Sequence, residues 1–208
     1  MATLLMMSHH GFRRDLGMFA VTLARPAAPR MADLHQEWLS LHEKLHGHHL
    51  MEDQHIFPGL QQQQPAAAPV IEQLGADHRR IDPLLERGDH LFAAQDRVGA
   101  AAVVSELLAL LQPHLAIEEE ELVPQLRTAR EFPAPSEAEV ELYAQGFAWS
   151  SFGVAPEVLA RVDELLPEIL RARLPAARRA FAENFRRLWG PVAAGASRTP
   201  VPDWLPTS

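Results

Sequence analysis

Two pairs of side chains in this sequence have the spacing of metal ligands. His48 and Glu52 are four residues apart, and so are His114 and Glu118. Residues four apart lie on one face of an α-helix, so each pair can direct an imidazole nitrogen and a carboxylate to a single point. The spacing therefore predicts two half-sites that bind a metal ion through nitrogen and oxygen.

The two pairs belong to an internal repeat. Residues 48–58 align with residues 114–124 at an offset of 66, and both segments end in two apolar residues and a proline. His9 and His78 align at an offset of 69. Two similar helical hairpins, each with a histidine on its first helix and a His-Xaa3-Glu turn on its second, predict a four-helix bundle with approximate two-fold symmetry.

The apolar residues of the first 130 positions recur at alternating steps of three and four, which is typical of amphipathic helices. The pattern and its breaks predict helices over residues 5–24, 31–57, 70–94 and 97–130. Prolines inside the pattern predict a kink at Pro83 and irregular turns at Pro113 and Pro124.

The inward stripe of each predicted helix is apolar until a histidine interrupts it. A buried imidazole or carboxylate is costly unless it is paired or binds a metal ion. One inward histidine is usually a satisfied core side chain, but four that converge within a repeat favour a metal centre. Because a carboxylate can bridge two ions, six side chains suffice for a dinuclear site. The predicted ligands are His9, His48, Glu52, His78, His114 and Glu118.

Three further histidines are alternatives. Only His9 and His48 are in phase with the inward stripe of their helices. Their neighbours His10 and His49 are out of phase and therefore rank second as ligands. His55 is in phase with its stripe and is expected to hydrogen-bond to Glu52, to line an access channel or to serve as an alternative ligand.

These residues resemble a known family, the hemerythrin-like or HHE cation-binding domains. The resemblance covers about residues 3–127, and four segments carry it: His9 with residues 12–16, the run 46–58, residues 77–82, and the run 114–124. It implies an up-and-down four-helix bundle around a non-haem, oxo- or hydroxo-bridged di-iron centre that meets dioxygen, peroxide or nitric oxide. By this resemblance the four histidines would be terminal ligands, and Glu52 and Glu118 would bridge the irons. Imidazole and carboxylate also suit zinc and manganese, which we rank below iron.

The sequence departs from the oxygen-carrying branch of that family at Asp82. That branch has a second histidine four residues after the third-helix histidine, and it spaces the last histidine and its bridging acid by five residues rather than four. A more anionic site favours ferric iron, and therefore sensing or redox turnover over reversible oxygen carriage. Asp82 is expected either to bind the metal or to orient His78 by a hydrogen bond.

Composition excludes several classes of function. The 208 residues include no cysteine, so disulfides, thiolate metal sites and cysteine nucleophiles are excluded. The formal net charge is −8 and Lys44 is the only lysine, which argues against nucleic acid as a partner. Glu106 and His114 interrupt the most apolar stretch, and the N-terminus lacks the basic leader of a secretory signal. We therefore expect a cytoplasmic protein without membrane contact.

All eleven histidines lie at or before His114, which divides the chain. A proline-rich stretch predicts a boundary between a bundle over residues 1–130 and a helical C-terminal extension over 131–208, with a loose end from Ala193. Helices are predicted over 136–147, from Pro156, and from Pro175 to Trp189. Their apolar residues require one end of the bundle, a second copy of the chain in a homodimer, or another protein to pack against.

Three functions are compatible with these patterns. The first is a di-iron protein that binds or senses a small oxidant in a stress response. The second is a di-iron enzyme that decomposes peroxide, as a catalase does, or acts as an oxidase. The third is a metal-stabilised protein-interaction module. No catalytic residue is identified apart from the predicted ligands, so whether the protein is an enzyme stays open.

Overall fold

The computed structural model describes residues 2–25, 29–128 and 135–190, and within these ranges it contains helices and no strand. The all-α fold predicted from the sequence is confirmed. Contacts between residues divide the chain into two units. We call Asp15–Gln125 the bundle unit, and Met1–Arg14 with Leu126–Ser208 the terminal unit. The boundary predicted near residue 131 and the loose end predicted from residue 193 lie outside the described residues.

The helices follow one another in the order of the chain. Helix α1 covers Ala2–Leu23, α2 Met31–Met51, α3 Phe57–Gln63, α4 Ala68–Ala93 and α5 Arg97–Ile117. A first π turn, Glu52–Ile56, joins α2 to α3, and a second π turn, Glu118–Leu122, continues α5 into a 3₁₀ segment at Val123–Thr128. A short 3₁₀ turn, Pro65–Ala67, precedes α4. The C-terminal helices are α6 Val140–Ser151, α7 Pro156–Leu165, α8 Glu168–Arg171 and α9 Leu174–Trp189.

An aromatic cluster fixes the packing of the bundle unit around α2 and α4. The indole of Trp38 is fully buried, stacks on Phe92 at 4.8 Å and meets the edge of Phe19 at 5.6 Å. Its Nε1 donates a hydrogen bond to the carbonyl oxygen of Leu85. Gly88 lets the two helices approach, because a Cβ atom at this position would overlap the indole.

Ion pairs and hydrogen bonds show that neighbouring helices of the bundle unit are antiparallel. Along α2 and α4, Trp38 contacts Leu85 near one end, while the more C-terminal Asp53 contacts the more N-terminal His78 at the other. Along α4 and α5, Arg87 pairs with Glu106, while the more N-terminal Asp77 lies 3.8 Å from the more C-terminal His114. This is the arrangement predicted from the two helical hairpins, and it brings the end of α2 beside the first half of α4.

The structure corrects two predicted helix ends. The second helix was expected to stop at Pro58, but the chain continues through the first π turn and α3 to Gln63. The predicted fourth helix becomes α5, the second π turn and a 3₁₀ segment. Proline explains both changes, because Pro58 and Pro124 lack the N–H that an α-helix would donate and their rings crowd the preceding turn. Before each of these prolines the helix widens into a π turn instead of ending.

One helical stretch is both long and strongly apolar. Among the described residues, Arg97–Leu126 is long and apolar enough to cross a membrane by those criteria alone. A core helix of a water-soluble protein meets the same criteria, and one such stretch is weak support for a span. The expectation that this protein makes no membrane contact stays a prediction.

The terminal unit has an apolar core of its own. Met7 of α1 packs with residues from α6 to α9, and the buried members of the cluster are Met7, Val140, Ala144, Phe147, Val154, Val158, Val162, Leu166, Leu170 and Leu174. The helices predicted from Pro156 and over 175–189 are present. The helix expected over 136–147 is shifted, since α6 begins at Val140 while Ser136 and Glu139 hydrogen-bond to each other just before it.

Arg14 connects α1 to the aromatic residues of this unit. Its guanidinium lies over the ring of Phe181 at 5.3 Å and within 5.8 Å of the rings of Trp149, Phe152 and Phe185. It also donates hydrogen bonds to the carbonyl oxygens of Trp149 and Phe152, at 2.7 and 3.0 Å. The apolar side chains that needed a packing partner therefore find much of it in residues 2–14 of their own chain.

Candidate metal centre

The two predicted bridging carboxylates occupy equivalent places in the backbone. Glu52 is the first residue of the first π turn, and Glu118 is the first residue of the second. In each case the residue five positions after the glutamate donates its N–H to the glutamate's carbonyl oxygen. Phe57 donates to Glu52, and Val123 donates to Glu118. Single π turns inside helices are rare and are often found at functional sites. The sequence repeat is thus also a repeat of an unusual backbone geometry.

Each His-Xaa3-Glu pair closes as the spacing predicts. Nε2 of His48 lies 3.2 Å from Oε1 of Glu52, and Nε2 of His114 lies 3.2 Å from Oε1 of Glu118. Both glutamates are buried, with at most 1% of their side chains exposed. Two ligand atoms each about 2.1 Å from one ion and near a right angle lie about 3 Å apart. Both pairs therefore fit an ion held between their two donor atoms.

His78 of α4 joins the same interior. Its Nε2 lies 3.6 Å from Oε2 of Glu52, so that Glu52 directs one oxygen to His48 and the other to His78. On the opposite side of the ring, Nδ1 donates a hydrogen bond to Asp53 at 3.0 Å. The ring of Phe57 stacks on His78 at 5.7 Å and provides an apolar cover.

Within the bundle unit, the donor atoms form two groups with one member in common. The first group is His49, Glu52, His78 and His114, whose ligand atoms all lie within 4.8 Å of one another. The ligand atoms of His48, Glu52 and Glu118 likewise lie within 4.8 Å of one another. Glu52 belongs to both groups, which is the place a bridging carboxylate must have. Nitrogen and oxygen donors of this kind suit iron, zinc and manganese.

The charges and pKa shifts of the buried side chains favour a bound cation. Burial raises the pKa of Glu52 well above its usual range, and the nearby charges of Glu118 and Asp53 raise it further. Burial also lowers the pKa of His49 well below its usual value and lowers that of His78. Neutral imidazoles cannot balance two buried carboxylates, whereas a metal ion can. The residues present therefore fit a bound metal.

The structure places His9 and His10 in the terminal unit. His9 is fully buried in α1, and its predicted role as a ligand stays a prediction. His10 is also buried, and its Nε2 donates a hydrogen bond to the carbonyl oxygen of Phe152 at 3.0 Å. His10 therefore has a partner in the C-terminal helices.

Two further predictions are corrected by the structure. Asp82 was expected to bind the metal or to orient His78, but it is 41% exposed and lies 3.4 Å from His46. Asp53 is the residue that orients His78. His55 was expected to face inward and is exposed. The first π turn explains this, because each residue of a π turn rotates the chain by a smaller angle about the helix axis than in an α-helix. Ile56 rather than His55 therefore returns to the inward face.

The structure places His49 among the buried donor atoms, although the sequence analysis ranks it second as a ligand. His49 is 2% exposed and lies in the first donor group, while the side chain of His48 is 9% exposed. Helical phase ranked His48 above His49, but both neighbours border the inward stripe, and the structure buries His49 more deeply. The sequence analysis also missed Asp53, because no local pattern distinguishes this acid, which directly follows Glu52, from a solvated one. Asp77 has a comparable position, 3.8 Å from Nδ1 of His114.

The fold and the site together define a helical protein with a histidine- and carboxylate-rich metal site inside the bundle unit. Comparison with known families agrees: the model of the hemerythrin HHE cation binding domain matches residues 1–126. The chain belongs to that family. No curated protein and no solved structure matches it.

Proposed function

We propose that this chain is a non-haem di-iron protein that binds or senses a small oxidant, namely dioxygen, peroxide or nitric oxide, in a stress response. The observation that supports this proposal is the position of Glu52. One of its oxygens faces His48 and the other faces His78, and the residue belongs to both donor groups. A carboxylate in this position can hold two metal ions side by side.

Two iron ions that share a carboxylate can exchange electrons with a small oxidant, which is the chemistry the metal would supply. The protein's own residues supply the surroundings. Glu52 and Glu118 bring negative charge that favours the higher oxidation state of iron. Asp53 fixes the orientation of the His78 ring, and Phe57 covers one face of it. The burial of both glutamates limits the access of water and of larger reactants.

Metal content is the direct test. Untagged protein, purified without chelators and reloaded with ferrous iron under anaerobic conditions, should contain about two irons per chain by plasma mass spectrometry. Glu52→Gln should contain one iron or none, because the neutral amide is a poor bridge between two cations. Glu120→Gln is the matched control, since Glu120 is exposed in the second π turn and should leave metal content unchanged. One zinc per chain, or full iron content in Glu52→Gln, would contradict the proposal.

A kinetic measurement separates binding or sensing from turnover. Diferrous protein is mixed with peroxide in a stopped-flow spectrometer, and the peroxide consumed per chain is measured. A protein that binds or senses changes its absorption once and consumes about one equivalent. Consumption of many equivalents would instead establish the peroxide-decomposing enzyme and overturn a sensing role.

A further inference from the structure

The side chain of His49 is buried without a hydrogen-bond partner on either ring nitrogen. Buried polar groups in folded proteins almost always have a partner, so a buried imidazole with two unsatisfied nitrogens requires an explanation. A neutral imidazole has one nitrogen that carries a free lone pair. A lone pair directed into a polar interior is what a metal ligand offers.

The surroundings of His49 are imidazoles. Its ring stacks on His78 with the centroids 4.0 Å apart and an angle of 14° between the planes. The ring of His114 meets it edge-on with the centroids 5.5 Å apart, and the centroid of His48 lies 5.8 Å from that of His49. Rings from α2, α4 and α5 therefore meet beside Glu52. Without an ion, this meeting would leave several nitrogen lone pairs facing one another in a dry interior, an arrangement that costs free energy.

We propose that His49 is a ligand of one of the two metal ions. That ion would be held by His49, His78, His114 and Glu52. This inference rests on the proposed function, because it assigns the donors of one position in the same centre. It makes the two metal positions chemically unequal. Counting only donors of the bundle unit, one position has three imidazoles and the shared carboxylate, and the other has His48 and Glu118 with the same shared carboxylate.

The unequal donor sets have a consequence for loading. Every donor of the three-imidazole position comes from the bundle unit, from α2, α4, α5 and the first π turn. Imidazole suits divalent ions of the iron-to-zinc series, and this position has more imidazole donors from the bundle unit than the other. This position should therefore fill first, and a protein that holds a single ion should hold it there.

The test is a metal titration of the full-length protein. Metal-free wild type is titrated with Co²⁺ and followed by visible absorption and calorimetry. Wild type should show two binding events of different affinity. His49→Leu should weaken the tighter event at least tenfold, because leucine fills the space without a lone pair. His46→Leu is the control on the same helix: His46 is 44% exposed and lies beside Asp82, so both events should persist.

A second measurement needs no variant. Wild-type protein with ¹⁵N-labelled histidine is loaded with Zn²⁺, and the ring nitrogens are observed by NMR. The resonance of one His49 nitrogen should move on addition of the first equivalent, together with those of His78 and His114. An unmoved His49 resonance, or equal titrations of wild type and His49→Leu, would show that His49 is a packing residue against His78 and overturn this inference alone. Absence of metal binding by wild type would overturn the proposed function as well.

Discussion

Nδ1 of His78 donates a hydrogen bond to Oδ1 of Asp53 at 3.0 Å, while Nε2 of the same ring lies 3.6 Å from Glu52. An ionised carboxylate only accepts hydrogen bonds, so the hydrogen is on Nδ1 and the lone pair is on Nε2. Asp53 thereby selects the tautomer in which His78 can bind a metal ion, and it fixes the plane of the ring.

We predict that Asp53→Asn weakens metal binding while the fold persists. The amide can present its NH₂ group to Nδ1 and favour the wrong tautomer, and loss of such carboxylate partners typically lowers metal affinity about 10- to 100-fold. Competition with a chromophoric chelator measures the change. Asp82→Asn is the matched control, because Asp82 lies beside His46 and should leave affinity unchanged. Equal affinities for Asp53→Asn and wild type would contradict the orienting role.

We predict that Glu52→Gln stabilises the metal-free protein even though it removes metal binding. The pKa of Glu52 is raised well above its usual range in the folded state. A carboxyl group whose pKa is raised by folding destabilises the fold at pH values above its unfolded pKa, and each unit of the shift corresponds to about 1.4 kcal/mol. Glutamine has no such penalty.

Thermal unfolding of chelator-treated samples should therefore give Glu52→Gln the higher Tm at pH 7. The difference from wild type should shrink as the pH falls toward about 4.3, where the unfolded carboxyl also takes up its proton. Glu120→Gln controls for the loss of one negative charge at an exposed position. A lower Tm for metal-free Glu52→Gln at pH 7 would contradict the prediction.

The sequence predicted the helices of the bundle and the half-sites because both depend on local spacing. Apolar residues at steps of three and four mark a helix wherever it packs, and a His-Xaa3-Glu pair closes in any regular helix. The prediction for His55 failed at the first π turn. His55 is exposed, while Ile56 takes the inward position, as Leu122 does in the second π turn. The proline six residues after each predicted bridging glutamate is the available signal, but it predicted a helix end at Pro58 and an irregular turn at Pro124, not a π turn.

Other features depend on contacts that no local pattern contains. The choice of Asp53 rather than Asp82 as the partner of His78 is set by how α2 lies against α4. The burial of His49 depends on the same packing. Likewise, the sequence identified apolar C-terminal helices that needed a surface, yet it could not indicate that residues of α1 such as Met7 pack with them.

We predict opposite effects for two glycine-to-alanine substitutions. In Gly88→Ala the new methyl group would overlap the indole of Trp38, so we expect a loss of about 1–3 kcal/mol despite the better helix propensity of alanine. Gly47→Ala adds a methyl group that meets no atom within 4 Å, so we expect a gain of up to about 1 kcal/mol. Denaturant unfolding measures both. A stabilising Gly88→Ala would mean that α2 and α4 approach less closely than described.

We predict that Arg14 stabilises the terminal unit. Its guanidinium is buried among four aromatic rings and donates to the carbonyl oxygens of Trp149 and Phe152. In Arg14→Ala both carbonyls lose a charged donor and the rings lose the cation that they surround. Together these losses should lower the stability of this unit by about 2–4 kcal/mol.

Hydrogen exchange followed by mass spectrometry localises the effect of Arg14→Ala. Exchange should rise in α6 and α9, because the contacts of Arg14 lie at the end of α6 and on α9. Arg179→Ala removes an exposed arginine from α9 and should leave exchange unchanged. Equal protection of α6 in Arg14→Ala and wild type would show that apolar packing, including that of Met7, holds the C-terminal helices without this cation.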